Sequence, residues 1–139
     1  MTVKTLRLKT ENGEEIRETL TLIKDLGIKG DVKAKGGERQ LCLCDERSLC
    51  DYRAVGKGLC VCRFMPNITT EDLDFTALSE GKRFKIGDAE IEISSTLKKC
   101  FPDCEFVQDR TTCQIKHACA FAKITEGGEI NSGDEIIEL

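Results

Sequence analysis

The sequence predicts a mainly β protein: a closed or nearly closed β-barrel of short strands, with a few short helical turns, in a single domain over residues 1–139. Three observations predict it. Apolar residues recur mostly at every second position, the period of a strand. Turn signals built on Gly, Asn and Asp divide the chain about every 8–12 residues, and closure would remove the exposed edges of so many short strands. With 139 residues, 40% hydrophobic and 33% charged, the chain can bury one proper core without staples.

The elements follow in order. Residues 2–9 ("TVKTLRLK") alternate as a strand, and "ENG" at 11–13 is a turn, because Asn and Gly tolerate positive φ. Residues 15–24 ("EIRETLTLIK") read as a second strand with Ile16, Leu20 and Leu22 on one face. The runs "RQLCLCD" and "GLCVCRF" read as short strands buried on both faces. Between them "ERSLCDYRAV" suits one or two helical turns, and "TTEDLDFTALSEG" suits another, with Thr70 as its N-cap. Residues 80–93 ("EGKRFKIGDAEIEI") and 126–139 ("EGGEINSGDEIIEL") align without a gap over 14 positions. Each reads as strand, Gly-Asp turn, strand. This is shared hairpin grammar rather than a true repeat.

Composition excludes several functions. A net charge of −4 argues against a nucleic-acid partner bound by bulk electrostatics. No apolar run is long enough to span a bilayer, and "MTVKTLRLKTENGEE" has no apolar signal region, so a cytoplasmic protein without a membrane partner is expected. Without Trp and with one Tyr, the chain offers no aromatic platform for bases or sugars. It contains neither a Walker-type loop nor G-x-G-x-x-G, and no Ser-His-Asp arrangement can be argued from it.

The nine cysteines carry more information. An odd count in a reducing compartment argues against a disulfide framework. Cys42 and Cys44, like Cys60 and Cys62, lie two apart on expected strands. Residues so placed are about 6.5–7 Å apart, near or past the reach of a disulfide. They alternate with Leu or Val and read as small core residues, as does Cys50. A four-thiolate zinc site between the two strands is the sharper alternative, though C-x-C is tighter than the usual knuckle.

Residues 95–119, "STLKKCFPDCEFVQDRTTCQIKHAC", differ. Cys100 follows Lys98 and Lys99, whose ammonium groups favour the thiolate, in a polar, turn-like setting. Cys100, Cys104, Cys113 and His117, separated by three, eight and three residues, are a chemically adequate ligand set for zinc. The residues leave metal binding, a reactive thiol and plain structure all open. Cys119 leads into "AFAKI" and reads as core.

The order of motifs over residues 26–139 resembles the MOSC domain, the C-terminal domain of molybdenum cofactor sulfurases, in its small stand-alone bacterial form. "GIKGD" (27–31) resembles its early Gly-x-x-Gly-Asp element, "RQLCLC" (39–44) its Arg-x-Val-x-Leu-Leu strand, and "PNIT" (66–69) its Glu-Asn-Ile/Leu-Thr element. "LSEGKRFKIGDAEIEIS" (78–94) resembles the strand pair that follows, and "AFAKITEGGEINSGDEIIEL" (120–139) the closing segment. "KKC" (98–100) falls where the family has its hallmark cysteine. Small bacterial members also carry a Cys-rich run here, which Cys100, Cys104 and Cys113 match. Val32, Pro66 and Phe101 depart from the pattern, standing where relatives often have His, Glu and His.

The resemblance implies a strand-rich barrel and a sulfurtransferase-like role. Cys100 would carry sulfur as a persulfide, or ligate molybdenum, with Cys104 and Cys113 assisting. Asp31, Arg39 and Asn67 would bind the molybdenum cofactor. A cysteine desulfurase dependent on pyridoxal phosphate would be the donor, and molybdenum cofactor biosynthesis proteins or a molybdoenzyme the acceptor. The alternative from a different class is a structural or regulatory zinc module on Cys100, Cys104, Cys113 and His117.

Overall fold

The computed structural model describes residues 1–58, 64–96, 100, 102–111 and 113–139. The expected strand "GLCVCRF", with Cys60 and Cys62, lies largely outside the described residues, as do Lys98, Lys99 and Phe101. In chain order the strands are β1 (Thr2–Thr10), β2 (Gly13–Arg17), β3 (Thr19–Ile23), β4 (Gly27–Ile28), β5 (Leu41–Asp45), β6 (Ile68–Glu71), β7 (Arg83–Ile86), β8 (Ala89–Ser95), β9 (Cys119–Glu126), β10 (Gly128–Asn131) and β11 (Ile136–Glu138). Helix α1 (Glu46–Val55) follows β5, a 3-10 turn spans Phe75–Ala77, and the short α2 (Glu105–Gln108) precedes β9.

Among the described residues the strands form two open sheets, and neither closes into a barrel. The larger runs β11-β7-β8-β9-β5-β6-β1-β2, and the smaller runs β10-β3-β4. The nearest approach to closure is local. Thr2 bridges Glu135, and the backbone N–H groups of Val3 and Ile136 donate to the carbonyls of Asp134 and Met1 at 2.8 Å. One bridge is not a ladder, so β2 and β11 remain edges. The reason lies at Glu18. The expected second strand breaks there: Arg17 still pairs with Leu6 of β1, but Thr19 pairs with Asn131 of β10. The Glu18 carbonyl accepts from Ser132 N–H at 2.9 Å. The chain thus crosses between sheets within one residue, and Ile16 stays 66% exposed while Leu20 and Leu22 are buried.

Both sheets cover one core. Leu20, Leu22, Ile28 and Ile130 of the smaller sheet meet Leu6, Leu43, Ile68, Ile91, Ile93 and Ile124 of the larger. Strand β8 shows the expected alternation, with Ala89, Ile91 and Ile93 buried and the glutamates between them half-exposed. In β5, Leu41 through Cys44 are all buried, as expected for a strand covered on both faces. Leu41 and Leu43 belong to the main core. Cys44 instead joins a second cluster with Leu49, Tyr52, Cys104, Phe106, Ile115 and Cys119.

Other expectations are corrected. Thr70 is not a cap but a fully buried residue of β6; the cap of the 3-10 turn is Asp74, whose carboxylate accepts from Thr76 N–H at 3.0 Å. Cys50 is exposed rather than core. The two similar segments do not make equivalent hairpins: β7 pairs with β8, but β10 and β11 go to different sheets. They pack against each other instead. Gly87, at φ 54°, lies where a Cβ would come within 2.7 Å of Asp134 Oδ2 and 2.8 Å of the Glu129 carbonyl.

Candidate functional site

The site lies beyond the C-terminal end of β5. There the strand turns directly into α1, with Asp45 as N-cap accepting from Ser48 N–H at 3.0 Å. Gly56, at φ 67°, ends the helix and donates to the Tyr52 carbonyl at 3.3 Å. The helix buries Leu49 and Tyr52 against the second cluster. Tyr52 meets Phe106 of α2 with ring centroids 6.0 Å apart. Lys57 lies over the other ring at 5.1 Å and donates to Asp109 at 2.7 Å, which holds its ammonium pKa above the ordinary lysine value. The cysteine-rich segment is thus fastened onto α1 by an aromatic pair and an ion pair.

Cys104 caps α2 through its backbone: its carbonyl accepts from the N–H groups of Val107 and Gln108, both at 3.0 Å. Its side chain is buried in the second cluster. The Cys113 carbonyl accepts from Lys116 N–H at 3.2 Å, forming the turn that carries His117. Cys100, Cys104, Cys113 and His117 line one cavity of about 320 Å³, with Tyr52 and Phe106 among its walls. Cys100 and Cys113 are half-buried and His117 is exposed. All four residues singled out by spacing are therefore brought to one place. Among the described residues, no three His, Cys, Asp or Glu side chains converge as a metal site.

The thiols differ by environment. Burial pushes the Cys44 thiol far above its ordinary pKa, and neighbouring Cys42 and Cys119 push it further. Cys44 and Cys119 face each other across β5 and β9 and are core, as is Cys42. No disulfide joins two of the described cysteines.

Asp31, Asn67 and Arg39 line none of this cavity. Asp31 and Asn67 are buried and bonded to each other, Asn67 Nδ2 donating to Asp31 Oδ2 at 3.3 Å. Asp31 also accepts from the N–H groups of Lys9 (3.0 Å) and Lys33 (2.7 Å), and Asn67 Oδ1 accepts from Cys42 N–H at 3.0 Å. They brace β1, β5 and the start of β6. Arg39 stacks on Phe121, its guanidinium carbon 4.1 Å from the ring centroid.

A family model described as the MOSC domain matches residues 30–137. The chain belongs to the MOSC domain family. That family is associated with molybdenum cofactor sulfurase-like proteins and with molybdenum cofactor metabolism in general. Solved structures share the fold of this MOSC domain. YiiM from Escherichia coli aligns with a TM-score of 0.68 at 16% identity, covering 100% of this chain and 70% of its own. The YUAD protein from Bacillus subtilis aligns with a TM-score of 0.67 at 19% identity, covering 98% and 94%. No curated protein matches the sequence. No helix among the described residues is long and apolar enough to cross a membrane.

Among the cavity residues not singled out by spacing are Arg110 and Lys116. Their signal was available, since they stand three residues before and three after Cys113. Tyr52 and Phe106 carried no such signal, because only the packing of α1 on α2 brings them together.

Proposed function

We propose that this MOSC domain is a sulfur carrier of molybdenum cofactor metabolism, with Cys100 as the persulfide-bearing residue. The observation that carries the reading is the cavity itself: a half-buried Cys100 shares it with two further thiols and an imidazole. In the loading step the Cys100 thiolate attacks the outer sulfur of a desulfurase cysteine persulfide. A new S–S bond forms on Cys100, the donor's S–S bond breaks, and the donor leaves as its thiolate. In the unloading step, once the acceptor is docked, a second cavity thiolate, from Cys104 or Cys113, attacks the inner sulfur of Cys100. This forms a protein disulfide and expels hydrosulfide, so two thiols are oxidised as the carried sulfur is reduced. The acceptor is a molybdenum centre or a protein that matures it.

Cofactor binding is the other role the resemblance implies. The residues it names do not assemble around Cys100. Asp31 and Asn67 are occupied as a brace, and Arg39 stands on Phe121. No step is therefore assigned through a bound molybdenum cofactor. Among the described residues the zinc reading has no converged ligand group to rest on.

The test is intact-mass measurement after incubating the reduced protein anaerobically with cysteine and a desulfurase that uses pyridoxal phosphate. The expected result is a gain of one sulfur on the unmutated chain and none on Cys100→Ser. Equal gain on both would overturn the assignment.

A further inference from the structure

The thiol cavity has a charge pattern opposite to that of the whole chain. The protein carries a net charge of −4, yet among the described residues the formally charged side chains lining this cavity are Arg110 and Lys116, with no carboxylate. Both cations are exposed, and neither makes an ion pair with a described residue. Nearby acids do not neutralise them: Asp109 is taken by Lys57, and Asp103 and Glu105 do not line the cavity. Arg110 is held at the end of α2 with a left-handed backbone, φ 54°, which non-glycine residues seldom adopt. Its position is fixed by its N–H bond to the Val107 carbonyl and by the bond of Thr111 N–H to the Phe106 carbonyl.

Two unpaired cations beside a nucleophilic thiol favour a ligand that is anionic and carries an electrophilic sulfur. At about 320 Å³ the cavity is at the lower end of small-molecule sites, which run from about 300 to 1,000 Å³. We propose that it takes a low-molecular-weight anionic sulfane-sulfur compound, of which thiosulfate is the simplest, with Arg110 and Lys116 holding the anionic end. This rests on the reading of Cys100 as sulfur acceptor and names a substrate class for it. The Cys100 thiolate attacks the outer sulfur of thiosulfate. The new S–S bond forms on Cys100, the S–S bond of thiosulfate breaks, and its electron pair leaves with sulfite. Charge and atoms balance without an added oxidant or reductant.

The experiment treats the reduced full chain with thiosulfate anaerobically, following intact mass and released sulfite. The expected result is one sulfur on Cys100 and an equal amount of sulfite. Lys116→Gln and Arg110→Asn, the latter chosen because Asn tolerates a left-handed backbone, should each raise the half-saturating thiosulfate concentration roughly three- to tenfold. Alkylation of Cys100 by neutral iodoacetamide, which follows the thiolate fraction alone, should slow by less than thiosulfate loading does. If a cysteine desulfurase loads Cys100 but thiosulfate does not, this inference falls and the carrier function stands. If neither donor loads it, both fall. Thiosulfate loading unaffected by both substitutions overturns the role of the cations. Should Arg110→Asn fail to fold, as judged by circular dichroism, Lys116→Gln decides the point alone.

Discussion

Cys44 and Cys100 show how one residue type divides by environment. Cys44 is fully buried between β5 and the second cluster, so its charged form loses hydration without gaining a cation. Its pKa is raised by that burial first, and then by Cys42 and Cys119. A raised pKa means that the folded chain holds a proton which the unfolded chain releases. The resulting stability is present below the unfolded thiol value and is lost as pH rises through and beyond it. Between about pH 8 and pH 10 the melting temperature should therefore fall, and part of that fall should vanish in Cys44→Ala after allowing for its lower baseline. A thermal melt series in both proteins checks this. An identical pH slope would show that Cys44 does not contribute.

At the scale of elements, α1 and α2 form the frame of the cavity, and their junction is sterically tight. Gly58, at φ 97°, lies where a Cβ would come within 2.9 Å of the Tyr52 hydroxyl and 3.0 Å of the Phe106 ring. Gly58→Ala would add backbone strain to that overlap and push α2 away from α1. We expect a loss of roughly 1–3 kcal/mol in urea unfolding and slower sulfur loading of Cys100. Unchanged stability would mean that the Tyr52–Phe106 contact is not what positions the site. Helix α1 was legible in the sequence because "ERSLCDYRAV" follows Asp45, a good cap, and ends at Gly56. Strand β5 was legible from its unbroken apolar run. The break at Glu18 was not, because Ile16, Leu20 and Leu22 keep one phase on either side of it while the hydrogen-bond partner changes from β1 to β10. Local pattern carries the period of a strand but not the identity of its neighbour.

Across the whole molecule, the same limit explains the barrel. Many short strands with tight turns imply a need to manage edges, and the sequence expressed that need clearly. Whether they close depends on long-range pairing, which here stops at a single bridge from Thr2 to Glu135. The site divided in a similar way. Cys100, Cys104, Cys113 and His117 could be grouped by spacing, and the fold places them together. Asp31 and Asn67 could be found by motif, but the hydrogen bonds they make between strands could not. Those bonds yield a clear expectation. In Asn67→Ala the N–H of Cys42 and the Oδ2 side of Asp31 each lose a partner in a buried setting. One orphaned buried group costs about 1–3 kcal/mol, so the urea midpoint should drop markedly. Below that midpoint, however, sulfur loading of Cys100 should proceed at the unmutated rate, because the brace and the thiol cavity share no residue. Measuring both quantities in one variant separates the two roles. A brace predicts lost stability with intact loading; a substrate contact predicts the reverse, and that result would return Asn67 to the site.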